Sequence, residues 1–154
     1  MKNFQQKSLD DYKVDRKVKA PPVTDYMVKK LITFHPETPI SDVIDALLDN
    51  RITGAPVLSD KNEVVGLIDD KDCLNVLVGG AYYNKPATDE TVASYMSNVM
   101  KTISIHADIV EAAHIFLTTP YKRLLVMNDK GKLAGQISRR DVLRAIKDMH
   151  IVSK

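Results

Sequence analysis

Ser138 and Asp141 stand three residues apart in Gly135-Gln136-Ile137-Ser138-Arg139-Arg140-Asp141, where an apolar run gives way to a helical pattern. A hydroxyl at a helix start sits beside backbone N–H groups that lack intrahelical partners, and such a turn holds anions. The carboxylate one turn later is an acceptor suited to charge-assisted hydrogen bonds. Ser138-x-x-Asp141 also has the spacing of a helix capping box, and the two roles can coexist. The same pattern stands 69 residues earlier as Gly66-Leu67-Ile68-Asp69-Asp70-Lys71-Asp72. There Asp69 replaces the hydroxyl and Asp70 lies beside it, so the turn repels an anion.

Covalent and metal chemistry find no pattern. His35, His106, His114 and His150 lack metal-ligand spacing such as His-Glu-x-x-His. Cys73 falls on an apolar helix face, which predicts an inert thiol. The chain has no Walker loop, no Gly-x-Gly-x-x-Gly, and no Ser-His-Asp order that a triad would use.

The elements that must place these residues come from the rest of the chain. Its 154 residues, 44% hydrophobic and 27% charged, predict an ordinary globular protein with a real core. A net charge of +2 is too small to argue for nucleic acid or membrane. No apolar run approaches the roughly 20 residues of a spanning helix, and no secretory signal opens the chain. A lone cysteine fits a reducing compartment, so a cytoplasmic location is expected.

Residues 1–22 read as a charged arm, ending at Ala20-Pro21-Pro22. From Val23 the chain repeats. An ungapped shift of 69 lays Tyr26-Met27 on Tyr95-Met96, Ile40 on Ile109, Val57 on Val126 and Asp72 on Asp141. Residues 23–78 and 92–154 are the two copies, and 79–91 the connector, which includes Tyr82 and Tyr83.

Each copy predicts β-α-β-β-α. The first strands are expected at Leu31–Phe34 and Lys101–Ile105. The helices follow from Ile40, Val43, Ile44, Leu47 and Leu48, and from Ile109, Ala112, Ala113, Phe116 and Leu117. Thr38 is the expected cap of the first, with Pro39 at its first position; Asp108 caps the second, with Glu111 completing a box. Hairpins follow over Ala55–Leu58 with Glu63–Ile68, and over Leu124–Met127 with Lys132–Ile137. A last helix closes each copy, carrying Cys73, Leu74 and Leu77, or Val142, Leu143, Ile146 and Met149.

This order resembles a tandem pair of CBS (cystathionine β-synthase) domains, a Bateman module, over Val23 to Met149. The resemblance is carried by Asn50-Arg51-Ile52-Thr53-Gly54-Ala55-Pro56-Val57, by Tyr121-Lys122-Arg123-Leu124-Leu125-Val126, and by the Gly-h-h-Ser/Thr-x-x-Asp end of the copies, where h is apolar. It is closest in form to modules with no catalytic domain attached. It implies an α+β fold in which two repeats pack by pseudo-two-fold symmetry, with two clefts between them. Adenine compounds bind there: AMP, ADP, ATP or S-adenosylmethionine, with NAD or cyclic dinucleotides in some members.

The resemblance assigns roles. Asp141 accepts from both ribose hydroxyls. Ser138 and the N–H groups near it hold the α-phosphate, with Lys122 and Arg123 facing the phosphate. Lys30 and Ile32 border adenine, Ile52 and Thr53 flank its other face, and Gln136 lies beneath. The family carries Ile or Val where Gln136 stands. The second cleft forms around Asp72 and Asp69, with Val99, Lys101 and Tyr121 opposite; it is expected to be empty, or to take a ligand with little negative charge. The implied function is regulatory nucleotide sensing by a homodimer acting on an unknown partner, with no catalysis and no catalytic cofactor. The alternative is an adaptor that uses the fold without a ligand.

Overall fold

Two apolar stripes at helical spacing and two pairs of short β-rich runs give two small sheets, each backed by helices. The computed structural model describes residues 19–80 and 90–151; the arm to residue 18, Tyr82 and Tyr83 lie outside them. The first repeat contains α1 (Ile40–Asp49), β1 (Gly54–Leu58), β2 (Val64–Asp69) and the short α2 (Asp70–Asn75), which runs on into a π-turn at Val76–Gly80. The second contains β3 (Thr102–Ser104), α3 (Ile109–Thr118), β4 (Arg123–Met127), β5 (Leu133–Ser138) and α4 (Arg139–Asp148). The strands β4 and β5 are antiparallel, with β3 parallel to β4 on the other side. The fold is α+β, as the sequence predicts.

The expected first strand at Leu31–Phe34 shrinks to one parallel bridge, Phe34 with Val57. Phe34 N–H donates to Pro56 O (3.0 Å) and Phe34 O accepts from Leu58 N–H (2.8 Å), so the edge keeps its anchor without a full strand. Its counterpart is shorter than expected as well, at three residues.

The helix caps differ from one another. Asp108 Oδ1 accepts from Glu111 N–H (2.9 Å), and the reciprocal half of the expected box does not form. Thr38 is not the cap of α1: its Oγ1 accepts from His35 N–H (3.0 Å), and Pro39 takes the N-cap position with no side-chain bond. With the cap one residue later than expected, Thr38 lies outside the helix and its hydroxyl closes the preceding turn instead. Asp108→Ala is expected to cost about 1 kcal/mol in urea unfolding, and Thr38→Ala clearly less.

The repeats exchange their opening segments. A 3-10 turn at Val23–Asp25 precedes the first repeat, and another at Val92–Ser94 precedes the second. Val23, fully buried, joins the core of Ile103, Leu124, Val126, Ile137 and Val142 in the second repeat. Val92, also fully buried, joins the core of Phe34, Ile40, Val43, Val57 and Ile68 in the first. The backbone follows the same exchange: Val28 pairs with Gln136 and, 69 residues on, Ser97 pairs with Leu67. Each repeat therefore completes its core with a piece of the other's lead-in. Gly135 and Gly66 permit this approach. A Cβ on Gly135 would lie 2.8 Å from Val28 O, and one on Gly66 2.9 Å from Ser97 O.

Candidate functional site

The turn from β5 into α4 is held by Ser138 and Asp141 themselves. Ser138 Oγ accepts from Asp141 N–H (3.4 Å), and Asp141 Oδ2 accepts from Ser138 N–H (2.7 Å) and Oγ–H (3.1 Å). The other oxygen, Oδ1, accepts from Arg144 Nη2–H at 2.6 Å. Asp141 is the one buried charged residue among those described, 4% exposed, so its carboxylate is turned onto its own helix rather than standing open to a cleft. The capping role read from the spacing is therefore real. Arg144, three residues on, is the partner that sequence reasoning missed; an i,i+3 carboxylate–guanidinium pair on a helix was its available signal. The same guanidinium donates to Tyr26 O (3.3 Å), and Tyr26 OH donates to Asp148 (2.9 Å). The carboxylate is thereby linked to the exchanged lead-in.

The structure brings several sequence-selected residues to this turn. Arg123 lies opposite Ser138 in the β4–β5 register. Its Nη2–H donates to Thr53 Oγ1 of the first repeat at 2.8 Å, closing a polar contact between the repeats. The guanidinium lies over Gly54, where any side chain would strike it. Thr53 arrives there because α1 ends in a Schellman turn: Ile52 N–H donates to Leu47 O (3.1 Å) and Arg51 N–H to Leu48 O (3.3 Å), with Arg51 at φ 53°. That turn normally carries Gly, so an Arg gave no sequence signal for it.

Gln136 sits on the face of β5 opposite Ile137, which belongs to the core. Its backbone exchanges hydrogen bonds with Val28, at 3.0 and 2.8 Å. Its Oε1 is buried and has no hydrogen-bond partner among the described residues. Ile32 and Ile52 are half-buried and pack on the first repeat's core, while Lys30 and Lys122 are exposed.

The second turn is built alike and charged differently. Asp69 Oδ1 accepts from Asp72 N–H (2.7 Å), and Asp72 Oδ2 accepts from Asp69 N–H (3.0 Å). Loss of hydration raises the Asp72 carboxyl to about 6; the negative charge of Asp69 and Asp70 adds to this, and the hydrogen bond from Asp69 N–H opposes it. Val99 and Lys101 are exposed, and Tyr121 packs against the second repeat's core. The folded state holds the Asp72 proton more tightly than the unfolded chain does. This group's stabilisation is therefore complete at low pH and lost as pH rises through about 6. The urea midpoint contribution of this group is expected to fall between about pH 4 and pH 6, and Asp72→Asn to flatten that fall.

Other groups do less. Burial, then the charges of Asp72, Asp69 and Asp70, push the Cys73 thiol up to about 11, which keeps it a poor nucleophile. His35, Glu37 and Asp60 converge on the surface with ligand atoms within 4.8 Å, all three exposed; exposed acidic groups gather in this way without an ion. A cavity of about 420 Å³ is bordered by Lys29, Leu31, Thr33, Leu58, Lys61 and Lys132, and neither Ser138 nor Asp141 lines it. No helix of the described residues is long and apolar enough to cross a membrane.

Both of the chain's repeats match the CBS domain family, over residues 23–79 and 92–148. The chain is 32% identical to MJ1225 of Methanocaldococcus jannaschii over 78% of its length, and 31% identical to the chloroplastic protein CBSX1 of Arabidopsis thaliana over 80%. It spans 47% of the first relative and 63% of the second. Among solved structures, it superposes on CBSX2 in complex with AMP with a TM-score of 0.73 at 27% identity, covering 84% of this chain and 98% of that one. These matches and the paired repeats place the chain in the CBS domain family, as a tandem pair of such domains.

Proposed function

We propose that this protein is a regulatory sensor that binds an adenine nucleotide, AMP or ATP first among the candidates, at the turn around Ser138 and Asp141. The observation that carries this reading is the Arg123–Thr53 contact between the repeats, set directly opposite Ser138. A forked cation, a hydroxyl and a helix start on paired residues are the donor types that suit a phosphate. The complex of CBSX2 with AMP supports the ligand class. Asp141 would receive the ribose diol by exchanging Arg144 from Oδ1. Arg144 also holds Tyr26 O, so its release would loosen the exchanged lead-in. A ligand shifts the equilibrium between two arrangements only by its differential affinity for them, and this exchange supplies the difference. The second turn, with Asp69 and Asp72, takes no anionic group in this scheme. The protein works without catalysis of its own, in a reducing compartment such as the cytoplasm.

A thermal-shift panel of AMP, ADP, ATP, S-adenosylmethionine, NAD and cyclic di-AMP tests this. Binding to the native state alone raises the melting temperature by mass action. At least one adenine compound is expected to raise it; no shift from any of them would overturn the reading. The closed pairing of Asp141 with its own helix favours a second reading, a ligand-free adaptor. Equal affinity for a regulated partner with and without nucleotide would select that one.

The helical faces support a homodimer. Leu48, Leu74 and Leu77 are about 70% exposed on one, and Leu117 (84%) and Leu143 (62%) repeat the positions of the first two on the other. Leu117 and Leu143 edge an apolar groove of about 400 Å³ with Phe116, Val142 and Ile146. Exposed apolar patches of this kind mark interfaces. Sedimentation is expected to give a dimer, and Leu117→Asp with Leu143→Asp a folded monomer; a monomeric wild-type chain would refute the pairing.

A further inference from the structure

We infer that the cavity walled by Lys29, Lys61 and Lys132 is a separate ligand site, which takes a small molecule carrying two or more phosphate groups. Its place in the fold sets it apart from the turn at Ser138. The lead-in is paired to β5 at Gln136 and to β1 at Val57. Leu58, Lys61, Lys132 and Ala134 line the cavity, and all lie on the hairpin-turn side of those pairings. Thr53 and Ser138 lie beyond them, toward the opposite ends of the same strands. Along an extended strand Ala134 and Ser138 stand about 13 Å apart.

Both repeats build the cavity. Lys132 Nζ–H donates to Lys61 O at 2.9 Å across the boundary between them, which holds two cationic residues side by side. No carboxylate lines the cavity, and none of the three lysines is in an ion pair among the described residues. Like charges gathered in this way repel, and a bound anion relieves the repulsion. The duplication supplies the comparison. At the shift of 69, Lys29, Lys61 and Lys132 correspond to Asn98, Lys130 and Glu63. The first set carries three positive charges; in the second one positive and one negative charge cancel. The scaffold accepts an amide and a carboxylate where two of the lysines stand, so the packing does not call for their charge.

The ligand follows from that charge. An ammonium is a compact point charge with three donors, and Lys132 spends one of them on Lys61 O. A phosphate monoester brings roughly −1.5 to −2 at neutral pH, so two of them match three ammonium groups and one does not. Thr33 and Asn62 add neutral donors, and Leu31, Leu58 and Leu133 add apolar wall. At about 420 Å³ the cavity has the size that small ligands fill.

The test is calorimetry of the full chain at neutral pH with inorganic tripolyphosphate, fructose 1,6-bisphosphate and inorganic phosphate. Wild type is expected to bind at least one of the first two about 10-fold or more tightly than inorganic phosphate. Tripolyphosphate alone would identify a bare polyanion as the ligand class, and the bisphosphate alone phosphates on an organic frame. Lys61→Gln is expected to weaken binding about 10-fold, and Lys130→Gln, the same loss of charge at the counterpart position, by no more than about twofold. Lys29→Asn with Lys132→Glu installs the counterpart residues; it is expected to melt near the wild-type temperature and to weaken binding about 100-fold or more. A wild-type chain that takes neither compound overturns the inference. So does Lys130→Gln matching Lys61→Gln, which would mean diffuse attraction to a basic surface, or a folded double variant that binds as wild type does.

Discussion

Asp141→Asn is expected to weaken AMP binding by at least about 100-fold and to cost the fold less than Asp141→Ala does, the cost coming from the lost Arg144 pair. Two hydroxyls of a ribose bonded to one carboxylate form two charge-assisted hydrogen bonds, each contributing roughly 1.5–3 kcal/mol. Removing the charge forfeits most of that. Asn retains an oxygen for Ser138 N–H, now met by Asp141 Oδ2 at 2.7 Å, so the cap largely survives. Asp141→Ala separates the two functions of the residue. It removes the cap as well as the ligand contact, at about 1–2 kcal/mol, or roughly 2–8 °C in melting temperature for a chain of this size. Calorimetry and melting together distinguish the roles: Ala lowers both readouts, Asn chiefly the first. An Asn variant that binds AMP as tightly as wild type would leave Asp141 as a helix cap alone.

Gly135→Val is expected to cost at least about 3 kcal/mol in urea unfolding, the sum of overpacking and the loss of the exchanged lead-in. The first atom of the new side chain would lie 2.6 Å from Met27 Sδ and 2.8 Å from Val28 O. The sulfur can move. The carbonyl cannot, because Val28 and Gln136 are tied by two backbone hydrogen bonds of 3.0 and 2.8 Å. Withdrawing that segment would also draw Val23 from the second repeat's core, and burying a valine contributes about 1.5–3 kcal/mol. Gly66→Val meets Met96 and Ser97 in the same way and should behave alike. Gly79 has open space where a Cβ would stand, so Gly79→Val serves as the control, within about 0.5 kcal/mol of wild type. Gly135→Val at the control's level would show that the repeats do not depend on the exchange.

The order of elements was legible because it rests on periodicity: Ile40, Val43 and Leu47 at helical spacing, and Val57 and Ile68 in short runs either side of a polar turn, are the residues that the core buries. The duplication was legible in its ungapped register, which the structure repeats down to single backbone pairs. The exchange of lead-ins was not. Val23 and Val92 read as the start of their own repeats, and no local pattern says that a segment crosses to a neighbour. The Schellman turn at Arg51 was hidden because its residue type is the wrong one for a positive φ. Of the site, the Ser138–Asp141 spacing was readable as a cap, and the structure has that cap. What holds the second carboxylate oxygen was not read, although Arg144 lies on the same helix. Thr53 and Arg123, 70 residues apart, meet at 2.8 Å through tertiary packing that a single sequence does not display.

The central claim is that Asp141 takes a sugar diol at the junction of the two repeats. A calorimetric cycle tests it most directly: wild type and Asp141→Asn, each titrated with AMP and with 2′,3′-dideoxy-AMP. If the diol meets this carboxylate, removing either one should cost the full interaction, and removing the second should cost little more. Losses that simply add, with dideoxy-AMP still weakened by the mutation as much as AMP is, would place the ribose somewhere else.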